Sequence, residues 1–303
     1  MMKRITTGLA LNAIVWVVLT TAVGASAQSV WVAPLARTAR TPLAPKPHAG
    51  HNIFKGEAEI WLADAIGNLG SSSVSISDHL VSDYVSQVGR HVAKYSTAPA
   101  REYKFIVTHG YCPDAWSIGD GRIYITLGML RLIEDEDQLA GVLAHEIAHD
   151  AFAHPGKTTT RQLFWMTGIR KVRNENEVTD SLEKLHAAYA SQPIAKLGET
   201  MLGFSRFDEL EADRAAFYNT YKAGYNPLAL RAMLKLYATK VKEDQGKQEY
   251  WRDEFLMLLF GSHPPDTQRF LALSWEANFV KLPPPDSHFA SAAFDAMKQR
   301  VRD

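Results

Sequence analysis

The pentapeptide His145-Glu-Ile-Ala-His149, which lies in an apolar run, constrains this chain more than any other stretch of its sequence. Residues four positions apart share one face of an α-helix, so His145 and His149 can direct two imidazole nitrogens at one point. Zn²⁺ binds such nitrogens at about 2.0–2.1 Å. Glu146 follows the first histidine, where a carboxylate can hold a water molecule and take its proton. The motif therefore predicts a helix that carries two metal ligands and a general base.

A third ligand has to come from elsewhere, because zinc hydrolases of this type use three protein ligands and leave one position for water. The segment Glu209-Leu-Glu-Ala-Asp213 offers two carboxylates on one helical face. We expect Glu209 to bind the metal and Asp213 to accept the free ring N–H of a ligand histidine. Glu211 would point roughly 200° away from Glu209, at about 100° per residue, so we expect it outside the site.

The composition suits a globular protein and excludes one class of partner. Of the 303 residues, 46% are hydrophobic and 22% are charged, which is enough for a sizeable core. The 33 Lys and Arg residues balance the 33 Asp and Glu residues, so no strong field favours nucleic acid. A net charge of zero tolerates polypeptide partners, and we expect no nucleic acid.

The N-terminus is typical of an exported protein. Residues 1–27 combine a basic start, an apolar run and a small-x-small cleavage site after Ala27, which predicts a signal peptide. The alternative is an uncleaved membrane anchor, although the run is short for a spanning helix of about 20 residues. The chain has no Asn-x-Ser/Thr sequon, which favours a bacterial periplasm. Pro-rich residues 28–53 predict a flexible linker with His48 and His51 solvated.

Residues 54–303 are expected to form one α+β domain, mostly helical, with a small sheet beside the motif helix. The predicted strands are 103–108 and 122–127, with a turn at 113–117 between them. Pro155 and Gly156 are expected to end the motif helix, and a mixed helical insert should follow over residues 157–203. The predicted helices cover about 56–67, 75–95, 134–152, 205–221 and 227–241, followed by a final helical region.

Together these motifs resemble the gluzincin zinc peptidases of family M48, which includes CAAX prenyl endopeptidases, HtpX-type membrane proteases and BepA-type periplasmic proteases. The resemblance covers about residues 54 to 275 and is closest to the soluble periplasmic members. Besides the His-Glu-x-x-His motif, it rests on residues 121–130, 136–144, 205–214, 224–227 and 262–269. It implies a zincin-like metallopeptidase domain with one Zn²⁺ per chain.

The resemblance also assigns roles to individual residues. His145, His149 and Glu209 would be the metal ligands, Glu146 the catalytic base and Asp213 the hydrogen-bond partner of a ligand histidine.

Residues 122–127 resemble an edge strand of the family. Arg122, Tyr124 and Thr126 would then lie where an extended substrate adds to the sheet. Many relatives carry Asn-Ala-Phe before that strand, where this chain has Asp114-Ala-Trp. An ionised Asp accepts hydrogen bonds but cannot donate them, so the role of Asp114 in substrate binding is open.

Each of three further residues could act at the site or be structural. His263 could donate to an oxyanion or occupy the fourth metal position and keep the enzyme latent, or it could be a structural turn histidine. His154 lies about 140° around the helix from His149 and is expected to be structural. Arg269 could pair with a carboxylate near the site, but we favour an anchor of the last helix.

These observations predict a zinc-dependent endopeptidase that acts on misfolded or unassembled envelope proteins. The alternative is a chaperone or assembly factor for envelope proteins with a latent protease site. Either protein could associate peripherally with the membrane or with envelope assembly machinery.

Overall fold

The computed structural model describes residues 48, 50–69, 75–191, 203–244, 267–282 and 291–302. In these residues the strands are β1 (Lys104–Thr108), β2 (Ala115–Ser117) and β3 (Arg122–Thr126). The helices are α1 (Glu57–Leu69), α2 (His79–Ala93), α3 (Leu127–Leu132), α4 (Glu136–Ala151), α5 (His154–Thr167), α6 (Glu175–Ala190), α7 (Arg206–Ala223), α8 (Ala229–Asp244), α9 (Thr267–Glu276) and α10 (Ala292–Arg302), and a short 3-10 helix covers Ala277–Phe279. The predicted mostly helical α+β fold is confirmed.

Helix α4, which carries the histidine motif, is surrounded by α2, α7, α8 and the sheet. The Asp135 side chain caps its start by accepting the Gln138 N–H. Every residue from Glu136 to Asp150 is buried. Helix α8 approaches so closely that a Cβ atom at Gly141 would lie 3.1 Å from the Leu230 backbone nitrogen. Close packing on all sides holds the motif side chains in place.

The sheet has the order β1-β3-β2, with β1 parallel and β2 antiparallel to β3. Residues 115–117, which the sequence assigned to a turn, form strand β2. A tight reversal at residues 119–121, all with positive φ, returns the chain from β2 to β3. The sequence prediction missed β2 because three residues are too few to show an alternating pattern.

The residues that end α4 and begin α5 differ from the prediction. Pro155 and Gly156 do not end the motif helix, because α4 ends at Ala151 and Pro155 lies in the first turn of α5. Proline is tolerated there, since the first N–H groups of a helix have no intrahelical partner. Ala153 makes the corner with a left-handed backbone, φ 55°. The reversal places His154 against the last turn of α4.

The described end of the predicted linker is packed on α5. Ile53 N–H donates to Thr160 Oγ1 at 3.0 Å, and Phe54 is 1% exposed among apolar side chains of α1, α5 and α6. Asn52 lies so close that a Cβ atom at Gly156 would be 2.7 Å from its side-chain oxygen. His51 is exposed, as predicted.

The predicted signal peptide, residues 1–27, lies outside the described residues, as does most of the predicted linker. Among the helices that the structure describes, none has the length and apolar character needed to span a bilayer.

Candidate metal centre

Helices α4 and α7 bring the three predicted metal ligands together. His145 Nε2 lies 3.0 Å from His149 Nε2. Glu209 places Oε2 3.5 Å from His145 Nε2 and Oε1 3.5 Å from His149 Nε2. The three side chains are 4%, 0% and 3% exposed, respectively. Four-residue helical spacing brings the histidines together, and the packing of α7 on α4 adds the carboxylate.

This donor set fits a tetrahedral divalent ion. Zinc bonds of about 2.0–2.1 Å at tetrahedral angles separate neighbouring donors by roughly 3.3–3.4 Å. The observed separations are 3.0, 3.5 and 3.5 Å. Two imidazole nitrogens and one carboxylate are also ligands that zinc prefers. His145, His149 and Glu209 could therefore hold a metal ion.

Asp213, one turn after Glu209 on α7, contacts the other ring nitrogen of the first histidine. Its Oδ1 lies 3.0 Å from His145 Nδ1. Burial alone would raise the pKa of Asp213, but Arg269 and His145 outweigh burial and lower it, so the group is a carboxylate. A carboxylate here accepts the Nδ1–H of His145 and leaves Nε2 free for a metal.

Arg269 on α9 pairs with both carboxylates, Asp213 and Glu209. It is 1% exposed, and its Nε and Nη2 lie 2.6 Å from the two oxygens of Asp213. Its Nη1 lies 2.9 Å from Glu209 Oε2. The prediction that Arg269 anchors the last helix is replaced by carboxylate pairing at the site. Bidentate geometry and a second acceptor stabilise a guanidinium so deep in the protein.

Glu146 is 2% exposed and lines a pocket together with His145. Six other lining residues are on α3, α4 and α8 and are mostly apolar: Met129, Val142, Leu230, Met233, Leu234 and Tyr237. Three more are at the start of β2 and on α9: Asp114, Ala115 and Arg269. An apolar side chain could therefore enter beside a buried carboxylate and a metal ligand.

The second histidine contacts a histidine that the sequence analysis interpreted as structural. His154 Nδ1 lies 2.9 Å from His149 Nδ1, and His154 Nε2 lies 3.1 Å from Glu211 Oε2. Phe204 stacks on the His149 ring, with centroids 4.1 Å apart. Glu211 contacts the site through His154 and not through His145, His149 or Glu209 directly.

His48 completes this contact and is not merely solvated, contrary to the sequence prediction. Its backbone N–H donates to Glu211 Oε1 at 2.7 Å, and its Nδ1 lies 2.9 Å from Glu211 Oε2. Burial alone would raise the pKa of Glu211, but the hydrogen bonds from His154 and His48 outweigh burial and lower it to about 2. Glu211 is therefore ionised.

Asp150, which directly follows the second histidine, was missed in the sequence analysis. Its carboxylate accepts the Gly121 N–H at 2.9 Å and the Ser117 hydroxyl at 3.2 Å, and it pairs with Arg101 at 2.9 Å. Burial raises the pKa of Asp150 to about 6 against the opposing effect of Arg101. These bonds tie the end of α4 to the β2–β3 reversal, which positions β2 relative to the metal ligands. The only feature of the sequence that could have indicated a role for Asp150 is its position directly after His149.

Residues 79–277 match the family model of Peptidase family M48. The chain belongs to this family. A match over this length includes the motif helix, the sheet, α7 and Arg269, and it leaves out His48. The resemblance drawn from the sequence is confirmed.

Several named proteins are similar to this M48 chain. The beta-barrel assembly-enhancing protease of Escherichia coli (strain K12) is 22% identical over 62% of this chain and 39% of its own length. Metalloprotease YcaL of the same strain is 25% identical over 73% of this chain and 82% of its own length. Mitochondrial metalloendopeptidase OMA1 of Schizosaccharomyces pombe is 32% identical over 26% of this chain and 23% of its own length. The chain spans about two fifths of the length of the beta-barrel assembly-enhancing protease.

One expectation drawn from the M48 resemblance is wrong: β3 is the central strand of the described sheet and not its edge. Arg122 pairs with Asp64 at 2.6 Å, and Tyr124 stacks on Trp116. Thr126 Oγ1 accepts the Met129 N–H at the start of α3. Strands β1 and β2 cover both sides of these residues, so an extended substrate has no access to their backbone.

Strand β2 is the edge of the described sheet that adjoins α4. Thr126 N–H donates to Asp114 O at 3.0 Å, and Ile118 N–H donates to Arg122 O at 3.2 Å. Hydrogen bonding alternates along an antiparallel strand, so the backbone groups of Ala115 and Ser117 point away from β3. His263, the other residue considered from the resemblance, lies outside the described residues.

Proposed function

We propose that this chain is a zinc metalloendopeptidase that hydrolyses internal peptide bonds of polypeptides. The observation that carries the proposal is the convergence of His145, His149 and Glu209 next to the buried Glu146. Membership of Peptidase family M48 supports it. A bound Zn²⁺ would supply a Lewis acid that polarises the scissile carbonyl and makes water more acidic.

Glu146 performs the proton transfers. It accepts a proton from the attacking water as the new carbon–oxygen bond forms at the scissile carbonyl. It then delivers that proton to the departing amine as the carbon–nitrogen bond breaks. Burial of Glu146 suits this role, because a desolvated carboxylate is a stronger base than a hydrated one.

The substrate lies extended along β2, where the Ala115 carbonyl and the backbone groups of Ser117 face away from β3. The Ala115 N–H donates to Asp114 Oδ1 at 2.9 Å, so a substrate would have to displace that bond to use it. One of its side chains enters the apolar pocket beside Glu146, so cleavage occurs next to an apolar residue. Filling the pocket with Met233→Trp should shift cleavage toward smaller side chains, whereas Leu80→Trp at an exposed position of α2 should not. Mass-spectrometric mapping of cleavage sites in casein tests this, and no apolar enrichment in the wild-type digest would contradict it.

Misfolded or unassembled envelope proteins are the proposed natural substrates, with export directed by residues 1–27. The composition of that segment supports export. The name of one relative links that protein to beta-barrel assembly, which supports an envelope role and peripheral association with assembly machinery. Intact-mass measurement of the protein recovered from cells should give a chain beginning at Gln28. A full-length mass would instead favour the membrane anchor.

Metal analysis and a casein assay on matched variants test the activity. Glu146→Gln should retain about one zinc per chain and lose cleavage by at least about a hundredfold, because the general base is lost. Glu183→Gln, at an exposed position of α6, is the control and should match the wild type. Cleavage that survives in Glu146→Gln would refute the role of Glu146.

The alternative function, a chaperone with a latent site, predicts different results. The wild type would then suppress aggregation of unfolded casein without cleaving it, and Glu146→Gln would do so equally well. Cleavage that a chelator abolishes and zinc restores favours the peptidase.

A further inference from the structure

The second metal ligand, His149, has a continuous set of polar contacts on its outer side. His149 contacts His154, His154 contacts Glu211, and Glu211 accepts two hydrogen bonds from His48. His149 and His154 are 0% exposed, and Glu211 is 13% exposed. Asp208 adds a carboxylate oxygen 3.5 Å from His154 Nε2. That oxygen is buried and has no hydrogen-bond partner in the described residues.

The positions of the protons in this set follow from the distances. His149 directs Nε2 at His145 and Glu209, so Nε2 must be unprotonated to bind a metal. The proton of neutral His149 is then on Nδ1, 2.9 Å from His154 Nδ1. Two ring nitrogens form a hydrogen bond only when one is protonated and the other is not. His154 Nδ1 therefore accepts, and the proton of His154 is on Nε2.

The surroundings of His154 favour this tautomer. Its Nε2 faces two carboxylate oxygens, Glu211 Oε2 at 3.1 Å and Asp208 Oδ1 at 3.5 Å. Both carboxylates attract a proton at Nε2 and would repel a lone pair there. Its Nδ1 faces only the His149 ring in these contacts. The charges around His154 thus determine which nitrogen of His149 is free for the metal.

We propose that His154 and Glu211 are positioning residues of the metal centre: they hold His149 in the tautomer and orientation that leave Nε2 open to zinc. This inference rests on the proposed zinc site. His48 contributes by fixing the position of the Glu211 carboxylate. A residue of the predicted linker therefore takes part in metal retention. Hydrogen-bond partners of ligand histidines commonly change metal affinity by about 10–100-fold.

The same residues have a second interpretation, which the proton positions oppose. Donor atoms of His48, His154 and Glu211 lie within 4.8 Å of one another and could hold a metal ion themselves. An ion on His154 Nε2 would move its proton to Nδ1. His149 Nδ1 would then have to accept, and the proton of His149 would move to Nε2, where zinc should bind. Independent occupation of both sites is therefore incompatible with neutral histidines.

Zinc affinity of the full chain tests the proposal, measured by competition with a fluorescent chelator. His154→Phe removes the acceptor and should weaken zinc binding about 10–100-fold. His154→Gln offers a carbonyl oxygen as acceptor and should recover most of that loss. His91→Phe, which changes a histidine on α2 that bonds to Ala223 O at 2.9 Å, is the control and should bind zinc like the wild type.

Glu211→Gln removes the carboxylate without changing the shape of the side chain, and it serves if His154→Phe fails to fold. It should weaken zinc binding about tenfold. Thermal unfolding in excess chelator shows whether each variant is folded before zinc is added.

Two results would overturn the proposal. In the first, the wild type binds one zinc ion tightly and both His154→Phe and Glu211→Gln bind it with the same affinity. That result would leave the proposed function intact. The other is a wild type with two independent ions, of which both variants lose one. A wild type that binds no zinc would instead refute the proposed function, and the positioning role with it.

Discussion

The two candidate metal-ligand histidines lie one turn apart on the same helix, yet their surroundings are built differently. The His145 support consists of Asp213 and Arg269, a buried ion pair between α7 and α9. The His149 support consists of His154, Glu211 and His48, which continues from α5 to a side chain 37% exposed. The first contains a fully buried guanidinium, whereas the second contains histidines and carboxylates, with the Lys157 ammonium bound to the His48 backbone oxygen at 3.0 Å at its outer end.

This difference separates folding from metal retention. Removing one partner of a buried ion pair leaves an uncompensated charge in the interior and lowers the free energy of unfolding. The outer part of the His149 support can rehydrate when it is disturbed, because His48 and Glu211 lie near solvent. We therefore expect changes in the His145 support to affect folding first, and changes in the His149 support to affect zinc binding first.

Arg269→Met should have the largest effect. It leaves Asp213 and Glu209 as two buried carboxylates without a cation, which should lower the free energy of unfolding by about 3–5 kcal/mol. Urea unfolding of the metal-free protein measures this. The control is Arg300→Met, which breaks an exposed ion pair with Asp78 of 2.9 Å; exposed pairs contribute about 0–1 kcal/mol. Equal effects of the two substitutions would remove the distinction between the supports.

Asp213→Asn should have the next largest effect, and that effect should be on zinc affinity. An amide oxygen is a weaker acceptor for His145 Nδ1–H than a carboxylate, so zinc affinity should fall about 10–100-fold. Chelator competition measures the dissociation constant. A variant that binds zinc like the wild type would show that Asp213 serves folding alone.

His48→Ala should have a smaller effect, because His48 acts through Glu211 and His154 and is partly exposed. Zinc affinity should fall by less than about tenfold, and the free energy of unfolding should change by less than about 1 kcal/mol. The exposed neighbour His51 provides the control His51→Ala. If the two variants are indistinguishable, His48 has no part in the His149 support.

The smallest expected effect is the interaction between the supports. They share no hydrogen-bonding side chain among the described contacts. The losses of zinc affinity in Asp213→Asn and Glu211→Gln should therefore multiply in the double variant to within about twofold, as for independent sites. A larger deviation, measured by the same competition assay, would show that the two histidines are coupled beyond the shared ion.

Much of the metal centre was predictable because its spacing is local. His145 and His149 are four residues apart, as are Glu209 and Asp213, and helical geometry alone puts each pair on one face. The start of α7 near Ser205 was also predicted, but the stop of α4 was not, because Pro155 lies in the first turn of α5. That Glu209 would reach the histidines was predicted from the chemistry of zinc, which needs a third ligand.

Other features depend on contacts between distant segments. Strand β2 is too short to show a period, and its place at the edge is set by the reversal at residues 119–121 and by Asp150. The role of Arg269 required the packing of α9 beside α7. A short pattern can indicate a strand but not its neighbours, so the order of the sheet was open.

The sequence by itself determined that this chain has a helical pair of histidines, a glutamate after the first of them and two carboxylates four residues apart on a second helix, because those relations repeat every helical turn. Only the tertiary structure decided what lies behind each ligand. The left-handed corner at Ala153 turns His154 onto His149, and α7 carries Glu211 to His154. Such contacts arise from how separate helices pack, and no local period in the chain records them.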